Sequence, residues 1–136
     1  MKTRKLMCLD VGTRRIGVAL ADSSIRISIP FTTVETDDSG SEIEQIAKII
    51  AAEEIDTLVV GLPRNLSGEE TAQSVFTKNF AQNFEDLVGK IVFQDESLTS
   101  VQAENLLKSY KKPYSKADID MNAAALILQD YLEENF

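Results

Sequence analysis

The chain of 136 residues contains no histidine and one cysteine. Without an imidazole there is no Ser-His or Cys-His nucleophile and no histidine-held metal. Any catalysis must therefore run on carboxylates, lysine, hydroxyls or a metal bound by oxygen. The lone Cys8 lies in an apolar run and has no partner for an internal disulfide, which suits a reducing compartment. No apolar run reaches the ~18 residues that a bilayer-crossing helix needs. Lys2, Arg4 and Lys5 precede an apolar run, but it breaks at Asp10 and lacks a small-residue cleavage site, so no secretory leader is expected and cytoplasmic residence is. Positive charge is scarce too: 14 Lys and Arg against 22 Asp and Glu leave a net charge of −8. That balance argues against a protein that coats nucleic acid through bulk electrostatics, and nothing points to a membrane.

What is present fits a globular chain, with 43% hydrophobic and 26% charged residues and a length suited to one domain over residues 1–136. The organising stretch is Leu6–Asp22, two apolar runs around Gly12-Thr13-Arg14-Arg15. It reads as a β-hairpin over Lys5–Val11 and Ile16–Ala21, with Gly12 supplying freedom at positive φ. A third strand is expected over Arg26–Val34, where Ile25, Ile27 and Ile29 alternate with Arg26 and Ser28, and Pro30 marks it as an edge or an early end. A helix burying Ile43, Ile46, Ala47 and Ile50 then stops near Glu54. Thr57–Gly61 is a continuous apolar run, as for a strand covered on both faces. Ser67 and Glu70 suit a capping box for a second helix, with Ala72, Phe76, Phe80, Phe84 and Leu87 on one stripe. Lys90–Gln94 is a fifth strand. Helices from about Ser100 to Leu107 and from about Asp120 to Glu133 follow, with a basic loop between them.

This order predicts an α/β fold whose five-stranded mixed sheet has its first three strands antiparallel and helices on its flanks. The carboxyl ends of strands one, four and five share an edge, where ligands of open α/β sheets bind. Three acids converge there. Asp10 closes strand one, Glu96 closes strand five with Asp95 beside it, and Asp120 lies on a helical face with Ala124, Ile127, Leu128 and Tyr131. Ala123-Ala124-Ala125 lets that helix approach the sheet closely. Taken singly, each acid could begin a turn or cap a helix. Crowded together they repel, and a divalent cation with oxygen ligands relieves the repulsion. Mg2+ or Mn2+ held by Asp10, Glu96 and Asp120, with Asp95 a further candidate ligand, suits phosphodiester cleavage by a two-ion route. Arg14, Arg15, Arg64, Asn65, Lys111, Lys112 and Lys116 flank the same edge and are the candidate contacts to a nucleic-acid backbone.

With these residues in place, the chain resembles the YqgF family, also called RuvX, of the ribonuclease H-like superfamily. The resemblance runs almost end to end. It rests on Leu9-Asp10-Val11-Gly12-Thr13-Arg14-Arg15-Ile16-Gly17-Val18-Ala19, on Val60-Gly61-Leu62-Pro63 with Asn65 and Gly68, on Asp95-Glu96-Ser97-Leu98-Thr99, and on Ile119-Asp120 with Ala123-Ala124 and Ile127-Leu128-Gln129. It implies a ribonuclease H-like fold and a metal-dependent nuclease site at Asp10, Glu96 and Asp120. Two roles go with the family: maturing the 5′ end of precursor 16S ribosomal RNA, and resolving Holliday junctions. The acidic chain with one modest basic rim favours the RNA role, acting as a monomer or weak homodimer. Ser97 stands where the family usually has arginine, and the lost charge predicts a slower enzyme. Two other readings fit parts of the pattern. Asp-Val-Gly-Thr followed by Asp22 also suits an actin-like phosphate-binding hairpin, and a non-catalytic RNA-binding assembly factor needs no cleavage at all.

Overall fold

The computed structural model describes residues 3–63, 70–96 and 99–136. In chain order they form β1 (Lys5–Val11), β2 (Arg15–Asp22), β3 (Ile29–Glu35), α1 (Ser41–Ala52), β4 (Thr57–Pro63), α2 (Ala72–Ala81) with a 3-10 turn at Gln82–Phe84, β5 (Lys90–Glu96), α3 (Thr99–Ser109) and α4 (Lys116–Asn135). The five strands make one sheet in the order β3-β2-β1-β4-β5. β1, β2 and β3 are antiparallel neighbours, while β4 and β5 run parallel to β1. As expected, the ends of β1, β4 and β5 therefore open onto one edge.

Period-two alternation sorts the strand residues onto two faces. Met7, Leu9, Val11, Val18, Leu58 and Val60 pack with Ile46, Ile50 and Phe84 on the side of α1 and α2. Leu6, Cys8, Ala19 and Val59 pack with Ala124, Ile127, Leu128 and Leu132 of α4 on the other. Asp10, Gly17, Gly61 and Glu96 continue the second set by alternation, and so face α4. Among the described residues no helix is long and apolar enough to cross a membrane.

Several expectations need correction. Gly12 does not take a positive φ; among the described glycines only Gly40 does. What glycine supplies at 12 is room. Its N–H donates to the Arg15 carbonyl at 3.0 Å, and a Cβ there would stand 2.7 Å from that same oxygen. The third strand begins at Ile29, not Arg26, because the Asp22 carboxylate accepts bonds from Ser24 and Ile25 and turns the chain out of the sheet. Ile25, Ile27 and Ile29 are consequently all exposed. Pro30 does lie on an edge strand.

The second helix starts later than Ser67 and Glu70 suggest. Glu70 is non-helical, and Thr71 and Ser74 form the capping box instead. Its buried positions are Ser74, Thr77 and Ala81, so Ala72, Phe76 and Leu87 lie outside the stripe assigned to them. The last helix also starts earlier, at Lys116, behind a capping box of Ser115 and Asp118. Asp120 thus lies within the helix and caps nothing. Its predicted face is correct: Ala124, Ile127, Leu128 and Tyr131 are all buried. Ser67 itself lies outside the described residues.

Candidate nuclease site

Two glycines allow the acids to meet. In the β1–β2 ladder Asp10 sits opposite Gly17, and a Cβ at Gly17 would stand 2.0 Å from the Asp120 carbonyl oxygen. The backbone of α4 lies directly against β2 at that point. On the other side of β1, Leu9 pairs with Val60, which sets Gly61 beside Asp10. A Cβ at Gly61 would come within 2.5 Å of Glu96 Oε2 and 2.8 Å of the Ile127 Cδ1 methyl. The Glu96 carboxyl occupies the space that a side chain at 61 would fill. Glycine inside a strand is the usual mark of such a close approach, but the sequence does not say which backbone or side chain arrives there.

The electrostatics follow from this crowding. Burial first, and then the neighbouring Glu96 and Asp120 charges, push the Asp10 carboxyl up to about 8. Glu96 is pushed up as well, chiefly by burial. The two are close enough to share a proton, and in that exchange Asp10 is the group driven toward its neutral form. Glu96 Oε2 is shut off from solvent and, among the described residues, has no hydrogen-bond partner. Beneath them Cys8 is fully buried, and desolvation with the two carboxylates lifts its thiol far from ionisation. A buried, protonated thiol of this kind is a poor nucleophile.

Asp120 stands at the rim. Its Oδ2 accepts a bond from Arg15 Nε at 2.6 Å, linking the start of β2 to α4. The donor set fits a hard cation: the carboxylate oxygens are crowded, and one is orphaned among the described residues. Yet among the described residues no three acidic or thiol groups are gathered closely enough to hold one ion. Asp10 and Glu96 form the tight pair, and the Asp120 carboxylate is engaged by Arg15.

The other predicted residues divide. Lys116 lines one small cavity together with Arg15 and Asp120. Arg14, Lys111 and Lys112 are exposed and, among the described residues, make no ion pair with the acids. Asp95 is exposed and alternates onto the opposite face of β5, away from Glu96. Arg64, Asn65 and Ser97 lie outside the described residues.

Replacing Gly61 with alanine separates the site from the fold. The atoms in its way end flexible side chains, so the protein can yield, at a cost of about 1–2 kcal/mol for a modest overpacking. That cost reads out as a lowered urea midpoint at unchanged slope. The Glu96 carboxyl, however, must leave its place beside Asp10. Misplacement on the ångström scale costs on the order of 10²-fold in rate, so turnover should fall far more than stability does.

Comparison with known proteins follows the same lines. A family model described as "RuvX: Holliday junction resolvase" matches residues 4–134. A Chloroflexus aurantiacus protein named "Putative pre-16S rRNA nuclease" is 38% identical over 136 residues, covering 98% of this chain and 89% of its own length. A Synechocystis protein of the same name is 39% identical over 128 residues, covering 92% of this chain and 84% of its own. Among solved structures, the Fowlpox virus resolvase in complex with Holliday junction DNA superposes with a TM-score of 0.59 at 11% identity, over 96% of this chain and 97% of that one. Thermus thermophilus RuvC with a Holliday junction substrate gives 0.59 at 10% identity, over 96% and 94%. At such identities the likeness speaks for the fold, which is ribonuclease H-like.

Proposed function

The chain belongs to the RuvX family, and on that footing we propose that it is a metal-dependent nuclease that matures the 5′ end of precursor 16S ribosomal RNA. One observation carries the chemistry: Asp10 and Glu96 are pressed together at the open edge of the sheet, with Glu96 Oε2 buried and without a hydrogen-bond partner among the described residues. Such an arrangement is costly for a chain with no use for it. Relatives named as nucleases of this RNA support the substrate class.

Asp10 and Glu96 are the residues that would hold Mg2+ or Mn2+, with Asp120 completing the set. A bound ion of this kind supplies Lewis acidity toward a phosphoryl oxygen and makes water a better nucleophile. Two ions rather than one would call on Asp120 as well as the Asp10–Glu96 pair. Asp95 is not placed for either, since it alternates onto the far face of β5. The chain's own contribution is positional. β1 and β5 fix the carboxylates on ordered strands, and the apolar contacts of α4 exclude water from their inner side. Arg15 and Lys116 are set to grip the phosphate backbone beside the acids, with Arg14, Lys111, Lys112, Arg64 and Asn65 as outer contacts. With a net charge of −8, that grip is local and weakens steeply with salt. We place this activity in the cytoplasm, in one nuclease domain acting as a monomer or weak homodimer.

Family and fold neighbours described as Holliday junction resolvases favour a second reading, cleavage of branched DNA. The test sets both substrates side by side. Purified protein is incubated with precursor 16S RNA and with a synthetic four-way junction, with Mn2+ or with EDTA, alongside Asp10→Asn. The expected result is removal of the RNA leader by the wild type only, only with Mn2+, and an intact junction. Preferential cutting of the junction would move the function to DNA. RNA binding without cleavage, retained by Asp10→Asn, would make the protein an assembly factor.

A further inference from the structure

We infer that Arg15 is a latch on the metal site: it holds Asp120 aside until a substrate phosphate draws it away, so that nucleic acid and cation bind cooperatively. The inference rests on the nuclease reading and adds an order of assembly to it. Asp120 Oδ2 is engaged by Arg15 Nε at 2.6 Å, and with Asp120 held there, no three acidic or thiol groups among the described residues are close enough for one ion. The pair is single-pronged. Arg15 makes no other side-chain hydrogen bond among the described residues, although a guanidinium carries five N–H donors. It is also part-exposed, with side-chain accessibilities of 31% for Arg15 and 22% for Asp120, and pairs of that kind are weakly held.

A competing acceptor has a place to sit. A cavity of about 250 Å³ lies between β2, α3 and α4, with Arg15, Lys116, Ser100, Glu104 and Asp120 on its walls. At about 30 Å³ for each water displaced, it has room for a phosphodiester group. Among the described residues Glu104 is the one other acid on that wall, and one of its oxygens already accepts the Tyr114 hydroxyl at 2.8 Å. A phosphate seated there offers Arg15 a two-pronged partner in place of a one-pronged one. Asp120 then loses its cation and is free to face the charge on Asp10 and Glu96, which a divalent ion neutralises. Coupling of this kind is reciprocal: whatever RNA does to metal affinity, the metal does to RNA affinity.

The test measures free Mn2+ by electron paramagnetic resonance in titrations with and without a short single-stranded RNA. Metal bound by RNA alone is subtracted, and a gel verifies that the RNA is intact. RNA should tighten Mn2+ binding by the wild type about tenfold, within the 5- to 150-fold range usual for coupled sites. RNA affinity by fluorescence anisotropy should tighten by the same factor when Mn2+ is present. In Arg15→Gln, Mn2+ should bind more tightly than in the wild type without RNA, and the coupling factor should fall to about one. Arg15→Lys keeps the charge but loses the planar fork, and should fall between the two; it also serves if the glutamine variant folds poorly. An unchanged coupling factor in both variants, or a wild-type factor of one in protein that still cleaves RNA, overturns the latch and leaves the nuclease. Absence of both Mn2+ binding and cleavage overturns the two together.

Discussion

Asp10→Asn is expected to stabilise the metal-free protein at pH 8 while abolishing its cleavage of RNA. The two effects share one cause. Asp10 is crowded by Glu96 and Asp120 and largely removed from water, so its carboxyl rises from the ordinary 3.8 to about 8. Below the unfolded value the group is protonated in both states and costs nothing. Between the two values the folded chain holds a proton that the unfolded chain has released, so stability falls steadily as pH rises toward 8. Asparagine has the shape of the protonated acid and no such dependence. The variant and wild type should therefore melt together near pH 4 and diverge as pH increases. By pH 8 the variant should lead by about 1–3 kcal/mol, the cost of an uncompensated buried polar group. For a chain of this size that is about 3–10 °C in Tm. Mn2+ should raise the melting temperature of the wild type increasingly from pH 6 to 8, because binding must expel that proton, and should leave the variant unmoved. Cleavage should drop by about 10⁴-fold, as for loss of one member of a catalytic unit. A variant less stable than the wild type at pH 8 would mean that the Asp10 carboxylate is compensated in the fold.

How far the sequence discloses this depends on the range of the forces involved. The paired strands, their order and the inward face of α4 were legible because alternation and the i, i+4, i+7 pattern are written locally and agree with burial. The start of α2 was not, because Ser67 with Glu70 and Thr71 with Ser74 are two cap signals four residues apart, and nothing nearby chooses between them. Extending its stripe to Leu87 carried the helical period past Ala81, where the chain tightens into a 3-10 turn and the phase is lost. Ile25 and Ile27 look like strand residues by alternation, yet the Asp22 side chain turns them out. At the site, Asp10 and Glu96 were identifiable as strand-end acids. The engagement of Arg15 by Asp120 was not, because it joins residues 105 apart in sequence and only the packing of α4 on β2 brings them together.

That packing is what Gly17→Ala attacks, with a large expected loss of stability. The obstacle is backbone: the new methyl would lie 2.0 Å from the Asp120 carbonyl oxygen and 2.4 Å from its carbon. No rotamer change relieves it, so α4 must lift from the sheet. The helix is tied to β3 and the segment before it through Thr33 Oγ1 to the Ala117 carbonyl and Ser28 Oγ to the Ala125 carbonyl, both at 2.6 Å. Lifting it strains these bonds and opens the contacts of Ala124, Ile127 and Leu128 with Cys8 and Val59. A loss of about 3 kcal/mol or more is expected, at or above the usual range for overpacking a core, with a fall in Tm of about 10 °C. Asp120 and its bond to Arg15 travel with the helix, so cleavage should fail even where the protein remains folded. A double-mutant cycle separates backbone from side chain. Because the clash is with the main chain, Asp120→Ala cannot relieve it, and the double variant should be no more stable than Gly17→Ala alone. If removing the Asp120 side chain instead rescues Gly17→Ala, the carboxylate and not the helix backbone occupies the space beside Gly17, and α4 sits farther from β2 than a 2.0 Å approach requires.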